Sequence, residues 1–211
     1  YRTLYERFVE NKTKGYFNAD PQFLSLIKGK TIAIVGPLNL SSEQQSELGG
    51  YDLRATMNIA DFTGKRYSTL KPHIIYNDNS ITKKLIESHE GKLPSSVLAL
   101  VTRSSKHLND MTGAKMIRSI PGTNEFTFNG GINMIQRMLI DLLIHEPAKI
   151  KVFGADLYTT TSYSKDYEGQ LGSFVRHFVQ HDLITNYYFT KYLYNLPEIE
   201  FEERLEKAVS M

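Results

Sequence analysis

Cysteine is absent from all 211 residues, which excludes a disulfide framework and a thiolate metal site, and with them the small cross-linked secreted scaffold. A surplus of one charge is missing too. The 25 Lys and Arg stand against 23 Asp and Glu, a formal net charge of +2, which is not the balance of a nucleic-acid binder. Apolar runs fall far short of the ~20 residues that a membrane-spanning helix needs. The chain opens Tyr1-Arg2-Thr3, with neither an initiator Met nor the apolar core of a signal peptide. The expectation is therefore a piece of a longer chain in a reducing, cytoplasmic setting, with peripheral membrane association as the one membrane option. The acidic stretch from Glu198 argues against a lipid-binding helix at that end.

Several signatures of particular chemistries are missing as well. No Gly-X-Gly-X-X-Gly and no complete Walker Gly-X-X-X-X-Gly-Lys-Ser/Thr occurs, Gly29-Lys30-Thr31 having Leu24 where the motif's first glycine would stand, which disfavours a nicotinamide enzyme and a phosphate-loop ATPase. Without Gly-X-Ser-X-Gly there is no serine-hydrolase elbow. Without Asp-X-Asp, metal-clamped nucleotide-sugar transferases lose their usual handle. Six histidines are present, and only His177 and His181 are close in sequence. Lacking the metalloprotease Glu and any Cys, that pair makes no zinc motif, so no metal is expected.

What is present reads as one globular domain over residues 1–211, since 41% of residues are hydrophobic and 23% charged. Residues 1–30 form a lead-in with a short helix and a break at Asp20-Pro21, 31–194 the core and 195–211 a C-terminal helix. Thr31 to Val35 is apolar and β-branched and stops at Gly36-Pro37, as a strand buried on both faces does. Further strands are expected at 51–58, 73–76, 97–102 and 149–153, with helices at 41–48, 132–145, 182–194 and 198–211. Strands alternating with helices predict a Rossmann-like α/β fold: a largely parallel sheet, helices on both faces, and an active-site loop after the last core strand. Ligands of open sheets bind beyond the carboxyl ends of the strands. The residues there, Gly36 to Asn39, Asn58, Asn77, Arg103 and Asp156 onward, are therefore the first candidates.

Each candidate has a plain structural alternative. Gly36 either admits a phosphate or ribose to the backbone or makes a tight turn. Asn58, Asn77, Asn129 and Asn133 either read the edges of a nucleotide or sugar or serve as turn residues. Asn129-Gly130-Gly131 opens a helix and exposes N–H groups to an anion, or simply starts the helix. Tyr158 and Tyr163, with Tyr167, either donate phenolic hydrogen bonds to a phosphate or cover a sheet edge. His181 beside a helix-capping Asp182 is a base held neutral by the helix field, or a surface histidine.

Taken in order, these pieces resemble the sialyltransferases, both the bacterial family acting on lipooligosaccharide and the animal-type family with its sialylmotifs. Ala33-Ile34-Val35-Gly36 followed by Tyr51-Asp52-Leu53-Arg54-Ala55-Thr56-Met57-Asn58 is similar to the large sialylmotif, and Ile75-Tyr76-Asn77 to the strand-end asparagine of the bacterial family. Asn129 to Met134, its helix, and Val152 to Tyr158 resemble the small sialylmotif running into the bacterial Gly-X-Asp-Phe-Tyr segment. His181 to Asn186 resembles the segment carrying the general-base histidine. The likeness spans residues 31–194, with Thr56 where many animal-type members have arginine and Pro37-Leu38-Asn39 in place of Asn or Gly-Pro-Ser.

This resemblance implies an inverting, metal-independent glycosyltransferase with no cofactor, a CMP-sugar as donor substrate and a glycan acceptor. His181 would take the acceptor proton, and Tyr158 and Tyr163 would hold the leaving phosphate. Asn58 and Asn129, Gly130 and Gly131 would bind the nucleotide, with Gly36, Asn39, Asn77 and Asp156 at the other strand ends. Arg103 would meet the donor carboxylate or the acceptor. Two alternatives stay open: transfer from another nucleotide-sugar, and a non-catalytic nucleotide- or glycan-binding module of a polysaccharide-assembly protein.

Overall fold

Thr31–Val35 forms β1, and its unbroken apolar character follows from its place: it is parallel to a strand on either side and covered on both faces. A computed structural model describes residues 6, 10, 19–103, 109–120, 132–157 and 183–210. Among them the other strands are β2 (Leu53–Met57), β3 (Ile74–Asn77), β4 (Ala99–Thr102), β5 (Met116–Ser119), β6 (Lys149–Phe153) and β7 (Ile199–Phe201). They form one sheet in the order β5-β4-β3-β2-β1-β6-β7. Every pairing is parallel, so all carboxyl ends lie on one edge. The chain builds outward from β1 in one direction and returns to the other side with β6, which makes the β1/β6 boundary the topological switch point.

Among the described residues the α-helices are α1 (Pro21–Ile27), α2 (Ser42–Glu47), α3 (Lys65–Leu70), α4 (Asn79–His89), α5 (Met134–Ile144), α6 (Leu183–Leu193) and α7 (Glu203–Ser210). Alternation along the strands sorts them into two layers. Ile32, Ile34, Tyr76, Val101, Ile150 and Val152 point to a face covered by α1, α5, α6 and α7 through Phe23, Leu139, Phe189 and Leu205. Ala33, Val35 and Phe153 face the opposite way with Leu70 of α3, and Ile75 and Leu100 pack with Leu85 of α4. This is the Rossmann-like arrangement that the strand and helix alternation predicts.

Several boundaries differ from the expectation. The Asp20-Pro21 break is a helix start, because Asp20 accepts hydrogen bonds from the Gln22 and Phe23 amides at 2.9 and 3.1 Å and Pro21 occupies the first turn. Ile199 and Phe201 are β7 rather than the start of the last helix; both are buried against β6 with Glu200 between them, a period of two that precedes the helical period of α7. Asp78 is the N-cap of α4, its carboxylate accepting from the Ser80 and Ile81 amides. Ser41 and Gln44 close a capping box on α2.

A buried polar network ties α1 and α5 to the sheet. Arg118 of β5 donates to Asp141 of α5 at 2.7 Å, and the Tyr76 hydroxyl donates to the same carboxylate oxygen at 2.8 Å. Burial alone would lower the Arg118 pKa, but attraction to Asp141 outweighs it and keeps the guanidinium charged. Burial and the neighbouring Asp141 push the Tyr76 phenol well above its ordinary value, so it remains a donor. Arg118 also lies 3.4 Å from the Asp20 carboxylate and 4.4 Å from the centre of the Phe23 ring. His145 completes the clamp, its Nε2 accepting from the Asp20 amide at 3.1 Å and its Nδ1 2.6 Å from the Asp141 carbonyl. That pairing requires the neutral tautomer with the proton on Nδ1, and burial lowers the His145 pKa in the same sense.

Candidate functional site

At the switch point, the backbones leaving β1 and β6 touch. The Gly36 amide donates to the Phe153 carbonyl at 2.7 Å and the Leu38 amide to the Gly154 carbonyl at 3.0 Å. Gly154 has a φ of +59°, the left-handed region that glycine enters without penalty. A Cβ on Gly36 would stand 2.4 Å from the Gly154 carbonyl oxygen and 3.1 Å from the Ala155 Cβ. Glycine at 36 is thus required by backbone packing. Gly36→Ala is expected to cost about 1–3 kcal/mol of stability through overpacking, whereas Gly49→Ala, whose Cβ would meet nothing within 4 Å, leaves the chemical-denaturation midpoint nearly unchanged.

This junction brings the Gly36 and Asp156 segments together, with Asp156 buried one residue past Ala155 and Asn39 exposed on the segment that Leu38 anchors. At the next strand ends, Asn58 takes a left-handed φ of +55° and its amide donates to the Tyr76 carbonyl at 2.9 Å. Asparagine tolerates that conformation better than most residues, which explains it at the end of β2. Asn77 is fully buried, and both ends of its amide engage Ile59: Oδ1 accepts from the Ile59 amide at 2.9 Å and Nδ2 donates to its carbonyl at 2.8 Å. Asn77 therefore acts on the crevice by fixing the turn after β2. Arg103 is exposed, one residue beyond β4.

Arg66 of α3 is a site residue that sequence reasoning missed. Its buried guanidinium donates to the Gly36 carbonyl and the Thr56 hydroxyl, each at 2.9 Å, while the Thr56 hydroxyl donates to the Val35 carbonyl at 2.9 Å. A permanent positive charge thereby sits where β1 and β2 end, and it holds the carbonyl of the turn glycine. No motif marks Arg66; only the fold shows that α3 starts at the strand ends.

The N-terminal turns of α5 and α6 meet on this same edge. The Asn133 amide donates to Asn186 Oδ1 at 2.9 Å, and one turn further Gln136 donates to the Thr190 hydroxyl at 2.6 Å. Both helices precede strands parallel to the rest, so both start at the carboxyl edge. Asn129, Gly130, Gly131, Tyr158, Tyr163 and His181 lie outside the described residues. Among the described residues, no three His, Asp or Glu side chains converge as metal ligands, and no helix is long and apolar enough to cross a membrane.

No family model matches the chain, and comparison with curated proteins gives no match. Among solved structures it is similar to one described as "Crystal Structure of a Mammalian Sialyltransferase", at 15% identity and a TM-score of 0.49, with 94% of this chain and 79% of that chain covered. A likeness of that degree carries nothing about activity.

Proposed function

We propose that this chain is an inverting, metal-independent glycosyltransferase that moves a nonulosonic acid, sialic acid or a related keto sugar, from a CMP-activated donor to a glycan hydroxyl. The supporting observation is one of placement. Gly36, Asn58, Asn77, Arg103 and Asp156, taken from motifs spread along the sequence, all fall at carboxyl ends of parallel strands, on both sides of the β1/β6 switch point. Open α/β sheets bind nucleotides at that position.

On this reading the nucleotide lies over β1, β2 and β6, held by Asn58 and by Asn129, Gly130 and Gly131, which precede α5 in the sequence. Arg66 adds positive charge beneath the phosphate. Tyr158 and Tyr163 donate to the departing CMP phosphate, and His181 takes the proton of the acceptor hydroxyl as its oxygen attacks the anomeric carbon from the opposite face, so the bond to CMP breaks with inversion. Asn39 and Asp156 border the donor, and Asn77 keeps the β2 turn in shape.

A calorimetric titration with CMP, UMP, GDP and NAD in chelator tests the donor class. Saturable binding of CMP alone is the expected outcome. Preference for another nucleotide would leave the fold intact and remove the CMP-sugar assignment.

A further inference from the structure

We infer that Arg103 and Arg137 form a two-arginine subsite at the carboxyl end of β4 that takes the carboxylate of a sugar. The choice of ligand rests on the transferase reading, while the juxtaposition of the arginines rests on the fold. Tyr76, Val101 and Arg118 are in register across β3, β4 and β5 and share a face. Asp141 of α5 bonds to both Tyr76 and Arg118, so α5 crosses β4 at the level of Val101. Four residues toward the start of α5, Arg137 lies on the same side of the helix and about 6 Å nearer the carboxyl edge. Two residues past Val101, Arg103 lies on the same side of β4 and about 6.6 Å nearer that edge. The two advances agree, so both side chains emerge at one level above the end of β4.

Two further observations fit that placement. Arg137 Nε donates to the Ile132 carbonyl at 3.0 Å, which fixes the base of its guanidinium near the helix start. Its pKa is pulled down to about 10, first by burial and then by the charge of Arg103, so the two cations are close enough to oppose each other. A bound anion relieves that repulsion, and a carboxylate offers two oxygens to a planar guanidinium fork. Position selects the sugar portion of a substrate. β4 is three strands from β1, about 14 Å along the sheet, a span comparable with an extended nucleotide-sugar whose nucleotide occupies the switch point.

The carboxylate has two sources, the sugar being transferred or an acidic acceptor sugar, and the probes separate them: CMP-N-acetylneuraminic acid, methyl α-N-acetylneuraminoside, the methyl ester of that glycoside, and CMP. Arg103→Gln and Arg137→Gln are expected to weaken the anionic probe that uses the subsite roughly tenfold or more. Arg137→Lys should retain part of that affinity, with binding of the ester and of CMP unchanged. Loss on the CMP-sugar assigns the donor carboxylate; loss on the glycoside alone assigns the acceptor. Thermal melting of each variant establishes folding, and exposed Arg103 supplies the variant least disturbing to packing. Unchanged binding of both anionic probes, no binding of either by the unmodified chain, or equal losses for the ester and CMP would overturn the subsite. Arginine-dependent binding of the glycoside by a chain that ignores CMP would instead defeat the donor assignment and leave the subsite standing.

Discussion

Arg118→Leu is expected to lower the unfolding free energy by about 3–5 kcal/mol, the cost of leaving a buried charge without its partner. Asp141 has 1% of its surface exposed, and without Arg118 its carboxylate keeps only the Tyr76 hydroxyl of the two donors on that oxygen. The loss also releases Arg118 from Asp20 and from the Phe23 ring, so the attachment of α1 to the sheet loosens together with that of α5. Leucine fits the surrounding apolar face but supplies no donor. For a domain whose total stability is on the order of 5–15 kcal/mol, such a loss is a large fraction, readily seen as a lower midpoint in urea. The double variant Arg118→Leu with Asp141→Leu should recover much of it, because replacing a buried pair by apolar groups is often nearly neutral. If the single variant melts like the parent chain, the network does not hold the layers together.

The second large effect concerns turnover. His181→Ala is expected to reduce transfer by roughly a hundredfold to ten-thousandfold, the usual contribution of a general base, while CMP affinity stays close to that of the parent. The helix after His181 begins at Leu183 on the carboxyl edge, beside the start of α5. A general base acts on the chemical step rather than on donor binding, and it works only in its unprotonated form. The effect should therefore fall on kcat, and the pH profile of the parent should lose its acidic limb in the variant. Unchanged kcat in His181→Ala would assign the base to another residue.

The architecture was legible where local pattern and tertiary position agree. β1 is a central strand and reads as a mostly apolar run, and β6 alternates Lys149 and Lys151 with buried Ile150 and Val152; α5 carries its buried face at three- and four-residue spacings; α6 starts within a residue of its expected position. β5 was hidden because it contains Arg118, a charge that makes sense in a strand only once Asp141 arrives from α5. β7 was hidden by its three-residue length and by the acidic residues around it.

The candidate site divides in the same way. Strand-end residues such as Gly36, Asn58 and Asp156 could be found because α/β sheets place ligands at one edge. Their individual roles could not. Gly36 is required by the Gly154 backbone, and Asn77 spends its amide on Ile59. Arg66 and Arg137 carry no sequence signal because each lies on a helix with no motif, and only the start of that helix at the carboxyl edge brings its charge to the site.

The most direct test of the central claim is donor turnover without added metal. Incubated in chelator with CMP-N-acetylneuraminic acid and no acceptor, the chain is expected to release CMP slowly, as transferases leak to water. Addition of a glycan acceptor should raise the rate and give a product of inverted anomeric configuration. A folded chain that binds CMP yet releases none, with or without acceptors, would contradict the account and leave a nucleotide-binding module in its place.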